Sequence, residues 1–299
     1  MSGSPSLITF PSPLRYPGGK GKVANFVKLV LLTNRLLDIE YVEPYAGGAG
    51  IALTLLYEDY VDSIVINDID AGLHAFWSCV VHRTDELCEL IATVALTMEE
   101  WHRQRAIQQA ETDDELALGF STFFLNRTNR SGIISESGVI GGKNQTGPWK
   151  IDARFRRDNL IQRIRKVARF RNRVTVSNLD AAELLGAYLN RSDALLYLDP
   201  PYYDKGAGLY ENHYSHDDHA QIARLVSEVQ GPWIVSYDAV DQVRQMYSRF
   251  PSIAYSLDYS ASERRVGSEM MFFSKSLVIP EVESPARVPS SLIDQARIA

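Results

Sequence analysis

Five consecutive apolar residues, Ala194–Leu198, run directly into Asp199-Pro200-Pro201-Tyr202. An unbroken apolar run of this length, bounded this abruptly, is what a strand buried on both faces of a parallel sheet requires. Such sheets need crossover helices on their faces, so the run constrains the chain to an α/β architecture. Pro200 and Pro201 cannot donate to a ladder and hold the backbone extended, which ends the strand and leaves the Asp199 carboxylate and the proline carbonyls facing one crevice. Acceptors with no donor between them fit an exocyclic amine, whose two N–H groups they can bind while its nitrogen attacks an electrophile. The Tyr202 ring can stack on the base that carries the amine. A plain Pro-Pro turn beside a surface acid is the structural alternative.

A second constraint lies upstream. Tyr41–Pro44 reads as a strand, Ala46-Gly47-Gly48-Ala49-Gly50 as a tight loop and Ile51–Tyr57 as an apolar helix, and Ser63–Ile66 is a strand closed by Asn67-Asp68. Strand, glycine loop, helix and strand with a terminal acid form the first half of a doubly wound sheet. The loop lacks the Lys-Ser/Thr of a phosphate loop and the Gly-x-Gly-x-x-Gly spacing of a dinucleotide fold, which disfavours a phosphate-bearing cofactor and a nicotinamide dehydrogenase. Further along, Ala71 to Gly119 is helical and amphipathic, Asn126 to Trp149 is glycine-rich, polar and without a period, and Leu160–Phe170 is helical again. Val174–Ser177, Trp233–Ser236, Ser252–Tyr259 and Met270–Ser274 read as strands, and Ser215 with Asp218 three residues on begins a helix to about Val229. Residues 1–13 read as a loose arm and 280–299 as a flexible Pro/Ser-rich tail.

The 299 residues, 45% of them hydrophobic, can bury one large core or two unequal ones. No segment approaches the roughly 18 apolar residues of a membrane helix, and the N-terminus is not a basic-then-apolar leader, so a cytoplasmic protein with no membrane partner is expected. Cys79 and Cys88 read as free buried thiols. Net charge is −6, yet residues 120–173 hold 13 Lys/Arg against three acids, leaving −16 on the remainder. That asymmetry predicts one cationic surface, rich in the planar guanidinium that suits phosphate, on an acidic body; a solvated helix face is its bland alternative. His213, His216 and His219 with Asp217 and Asp218 carry metal-ligand chemistry, but His213 precedes the helix start, and no metal site is expected.

In sequence order, Leu14-Arg15-Tyr16-Pro17-Gly18-Gly19-Lys20, Glu43 to Gly50, Asn67-Asp68-Ile69-Asp70, Asp180 and Asp199-Pro200-Pro201-Tyr202 resemble motifs of the Dam-type, D12 class DNA N6-adenine methyltransferases. The resemblance implies a Rossmann-like, doubly wound methyltransferase sheet over 14–76 and 159–279, with an inserted, mainly helical target recognition region over 77–158. It implies S-adenosylmethionine as cofactor, held by Tyr16, Gly18, Gly19, Lys20, Glu43, Pro44, Tyr45, Gly47, Gly50 and Ile69, with Asp68 on the ribose hydroxyls and Asp180 near the adenine. Asp199, Pro200, Pro201 and Tyr202 take the catalytic positions. Double-stranded DNA is the expected partner, met by Asn126, Arg127, Arg130, Lys143, Arg156 and Arg157; a cognate restriction nuclease is a further candidate partner, and a monomer is expected. Phe124-Leu125-Asn126-Arg127 matches the family, but Thr128 to Ile133 replaces the tyrosine-rich run of the GATC enzymes, which leaves the recognised bases open. Cytosine-N4 or RNA adenine methylation and a non-catalytic DNA-binding module are the alternatives.

Overall fold

In the computed structural model, which describes residues 11–15, 20–110, 112–135, 137–203, 214–259 and 265–298, the alternation of each short strand divides its side chains between two cores. The strands are β1 (Glu40–Glu43), β2 (Ser63–Asn67), β3 (Val174–Ser177), β4 (Ala194–Leu198), β5 (Trp233–Asp238), β6 (Ser252–Tyr259) and β7 (Arg265–Phe273), in the sheet order β3-β2-β1-β4-β5-β7-β6. Tyr41, Ile64, Ile66, Leu195 and Tyr197 point into one core, and Val42, Val65, Leu196 and Leu198 into the other, the period of two that a pleated strand imposes. β4 is buried along its whole length, as its apolar run predicts. The first five strands pair in parallel, with Val42 opposite both Val65 and Leu196, while β7 runs antiparallel between β5 and β6. Strand order reverses between β1 and β4, so the carboxyl ends of those two strands open a crevice of the kind in which such sheets bind ligands.

One face is covered by α1 (Ala24–Thr33), α2 (Gly50–Tyr57) and α3 (Ala71–His82), and continuous with them by α4 (Thr84–Thr93), α5 (Met98–Gln109), α6 (Glu115–Thr128) and α7 (Arg157–Ala168). The helices α4 to α6 have no core of their own: Leu87, Ile91, Trp101, Phe123 and Phe124 belong to the same buried cluster as Phe76 and Trp77. The other face is covered by α8 (Ala181–Tyr188), α9 (His216–Glu228) and α10 (Asp241–Met246). The expected start of α9 is present as a reciprocal capping box, Ser215 Oγ accepting from the Asp218 N–H and the Asp218 carboxylate from the Ser215 N–H.

The C-terminal segment departs from the expected loose tail. Its last helix, α11 (Ser290–Ile298), lies on α1 with Ile293 and Val288 buried; Asn25 Nδ2 donates to the Val288 carbonyl (2.9 Å) and the Arg297 guanidinium to the Glu58 carbonyl (3.1 Å). Proline and serine spacing conceals two apolar anchors that are enough to fix it. Of the N-terminal arm, residues 1–10 lie outside the described residues, and Ser12 and Pro13 are buried.

Candidate active site at the carboxyl edge of the sheet

Asp199 stands one residue beyond β4, where the prolines stop the ladder. Its Oδ1 accepts from Lys20 Nζ at 2.8 Å, and its side chain retains 26% exposure toward the crevice. Burial pushes the Asp199 carboxyl above its usual range, and the Lys20 charge opposes that push. Lys20, the last residue of the N-terminal motif, is 6% exposed. Burial alone would lower its pKa, but Asp199 and then Glu269 hold its ammonium well above the ordinary value. Glu269, on β7 and 2% exposed, approaches Lys20 at 3.6 Å and accepts from the Tyr202 hydroxyl at 3.0 Å. The four residues therefore form one buried polar cluster behind the crevice, with Lys20 also 5.2 Å from the Tyr202 ring centre. Pro200 is buried and Pro201 half-buried. The Tyr203 N–H donates to Asp238 Oδ1 (3.0 Å), which ties the end of the tetrapeptide to β5.

Across the strand reversal, Glu43 closes β1. Burial pushes its carboxyl up to about 8, against the pull of the Ala52 N–H that it accepts at 3.1 Å. Asp68 follows β2 and accepts from the Gly47 N–H (2.9 Å) and the Asp70 N–H (3.1 Å), so the acid folds the glycine loop down onto the sheet edge. Burial, then the charge of Asp70, pushes Asp68 up to about 7. Ile69 beside it is 44% exposed, an apolar surface next to two carboxyls. Fully buried Asn67 knots the floor: its amide donates to the carbonyls of Pro44 and Leu179 and its oxygen accepts from Ser177 Oγ and the Leu179 N–H. Trp77 Nε1 supports the loop from below through the Gly47 carbonyl (2.9 Å). Asp180 caps α8 through the Ala182 N–H and is exposed at the same edge. Tyr45 shares a hydroxyl contact with Tyr214 (3.0 Å). Tyr16, Gly18 and Gly19 lie outside the described residues.

The histidine cluster has another use. His216 Nδ1 meets the Tyr203 hydroxyl and buried His219 Nδ1 the Tyr237 hydroxyl, both at 2.8 Å, so these rings line an aromatic wall beside the tetrapeptide. His213 lies outside the described residues, among which no cluster of metal-ligating side chains occurs.

The residues expected to face DNA divide sharply, and three need correction. Asn126 is fully buried and clamps Arg15 through its N–H and carbonyl while donating to the Gly132 carbonyl. Arg127 donates to the carbonyls of Arg154 and Pro13, and burial lowers its pKa to about 9. Arg157 donates to the carbonyls of Ile91 and Val94 at the C-terminal end of α4. Each satisfies backbone groups that would otherwise be orphaned, which makes it part of the frame rather than of the surface. Arg130, Lys143 and Arg156 are exposed. Glu269 escaped the sequence reading; an acid on the apolar strand Met270–Phe273 was its one signal.

Comparison with known proteins agrees with this geometry. The chain is 23% identical over 206 residues to the Type II methyltransferase M.MjaIII of Methanocaldococcus jannaschii, spanning 63% of this chain and 68% of that one. A solved structure from Legionella pneumophila, protein LPL1258, aligns over 93% of this chain and 90% of its own at 13% identity with a TM-score of 0.31, too low to bear on fold or function. The model of the D12 class N6 adenine-specific DNA methyltransferases matches residues 16–259, from just before Lys20 to the end of β6, which takes in Glu43, Asp68 and Asp199 but not Glu269, and the chain belongs to that family.

Proposed function

We propose that the chain transfers a methyl group from S-adenosylmethionine to the N6 amine of an adenine extruded from a specific sequence in double-stranded DNA. The observation that carries this reading is the Asp199 carboxylate, held at the crevice by Lys20 through one oxygen and backed by Tyr202 and Glu269. The cofactor suits the residues present: Glu43 and Asp68 are carboxyls that burial has made reluctant to ionise, and hydroxyl or cationic partners would relieve them, while exposed Ile69 offers an apolar face to a purine. When bound, S-adenosylmethionine supplies an electrophilic methyl carbon beside a positive sulfur. Adenine's amine is a weak nucleophile because its lone pair is delocalised into the ring. Lys20 occupies Oδ1 of Asp199 and favours its ionised form against the push of burial, which leaves Oδ2 to accept one amine N–H while the Pro200 carbonyl accepts the other. Both bonds strengthen as the nitrogen becomes tetrahedral, so they favour the transition state over the ground state. Tyr202 offers a stacking surface that offsets part of the cost of unstacking. Likeness to a Type II methyltransferase supports modification at a defined site.

Sequencing modified bases in DNA from cells expressing the chain tests the reading, with Asp199→Ala as the control. N6-methyladenine confined to one sequence context, and lost in the variant, is the expected result. Methylation of cytosine, or undiminished product from Asp199→Ala, overturns it.

A further inference from the structure

Of the four tryptophans, Trp77, Trp101 and Trp233 are buried, whereas Trp149 is 69% exposed. A single exposed apolar residue is ordinary; the mounting of this one is not. The loop that carries it starts at Val139 and ends at Ile151, both buried, and Val139 bridges to Asn129. Between them the Gly147 N–H donates to the Gly141 carbonyl (3.1 Å) and the Gln145 N–H to the Gly142 carbonyl (3.0 Å). The Gln145 side chain spans the loop, donating to the Ile140 carbonyl (2.8 Å) and accepting from the Ile151 N–H (2.9 Å). Gly141 has φ +91°, and a Cβ there would stand 2.6 Å from the Trp149 carbonyl oxygen, so the two arms of the loop approach too closely for any side chain. The indole is therefore displayed on a braced backbone. Its neighbours Lys143 and Lys150 are exposed, and no acid occurs from Ser137 to Ile151.

The stem ties this loop to Arg15 of the N-terminal motif. The Arg130 N–H donates to the Gly138 carbonyl and the Ile140 N–H to the Thr128 carbonyl. The Arg15 guanidinium donates to the Asn129 carbonyl (3.1 Å), and Gly132, at φ +78°, packs so tightly that a Cβ would meet the Arg15 carbonyl oxygen at 2.5 Å. Arg15 lies five residues before Lys20, whose ammonium holds Asp199.

We infer that Trp149 is a DNA contact that stacks on a base left exposed when the target nucleotide leaves the duplex. An aromatic plane carried on a braced backbone, flanked by the exposed cations Lys143 and Lys150 and with no acid from Ser137 to Ile151, matches a base bounded by phosphates, and an already ordered loop loses little backbone freedom on docking. The inference rests on the DNA-methylation reading above and assigns to that reaction a residue outside its crevice.

Trp77, Trp101 and Trp233 also emit but are buried away from acrylamide, so the acrylamide-accessible emission, taken as the difference from Trp149→Phe, reports on Trp149. The probe is a short duplex carrying the sequence that expressing cells methylate, with a scrambled duplex as control. The expected results are quenched emission and reduced acrylamide access on binding the first duplex, with no such change in Trp149→Phe or Trp149→Leu. Methyl transfer should fall by about 5- to 150-fold in Trp149→Leu, the scale of one lost base stack, and by only a few-fold in Trp149→Phe. Gel-shift binding of the duplex with Trp149 still open to acrylamide overturns the inference alone, as does equal activity of the Leu and Phe variants. Shielding that grows with protein concentration without DNA overturns it in favour of a second copy of the chain. Failure of cells to methylate any sequence overturns it together with the reading beneath it.

Discussion

At the scale of single residues, one buried lysine serves two acids at the crevice. Lys20 faces Asp199 and Glu269 together, so Lys20→Met should remove from both carboxyls the cation they share. We expect it to cost about 3–5 kcal/mol in a denaturant titration, and to move the acidic limb of the kcat/KM profile to higher pH because Asp199 then ionises less readily. Glu43 at about 8 and Asp68 at about 7 carry a further consequence. Both folded pKa values lie above the unfolded ones, so the folded state binds more protons and stability falls as pH rises from about 4 to 8. A cationic, hydroxyl-bearing ligand favours the ionised forms, so cofactor binding near pH 7.5 should release protons. Calorimetry in phosphate and in Tris should give enthalpies that differ accordingly, and equal enthalpies would reject the coupling. Asp68→Ala should weaken the cofactor by about 1–3 kcal/mol. The placement of Asp199, Asp68 and Glu43 at the sheet edge is legible in the sequence because Asp199 and Asp68 directly follow a strand and Glu43 ends one. Glu269 is not, because its meaning depends on Lys20, a partner that only the closed sheet brings near.

At the scale of elements, the basic segment is not one surface. Arg157 caps α4, Arg173 donates to the Val61 carbonyl and pairs with Asp59, and Lys166 lies 3.9 Å from the Tyr57 ring centre. Arginine density alone cannot reveal this, since the carbonyls that claim each guanidinium come from distant elements. Arg156, at the start of α7, and Lys143, in the tryptophan loop, remain exposed. Neutralising either should lower the slope of log affinity against log salt by about one unit for every DNA sequence. Arg157→Ala should instead destabilise the fold by about 1–3 kcal/mol and leave the slope unchanged. A lower salt slope in Arg157→Ala would return that residue to the DNA surface.

At the scale of the whole molecule, the order of strands was readable as far as the first half of the winding, where each glycine, proline and acid punctuates an apolar run. The docking of α11 was not, because Val288 and Ile293 are meaningful only against the groove they fill on α1. Removing residues 290–298 should lower the melting temperature yet preserve methyl transfer below it, since α11 packs on α1 rather than on the turn that carries Lys20. The position of β7 reaches further. It is the last strand in the chain, yet it lies inside the sheet, between β5 and β6. On the ribosome, β5 must therefore emerge with an open hydrogen-bonding edge that β6 cannot cover, and the sheet can close only when the final strand has left the exit tunnel. A chain stalled or cut before Arg265 should thus be a substrate for holding chaperones and should aggregate without them, while its crevice, lacking Glu269, would never acquire the second acid that faces Lys20.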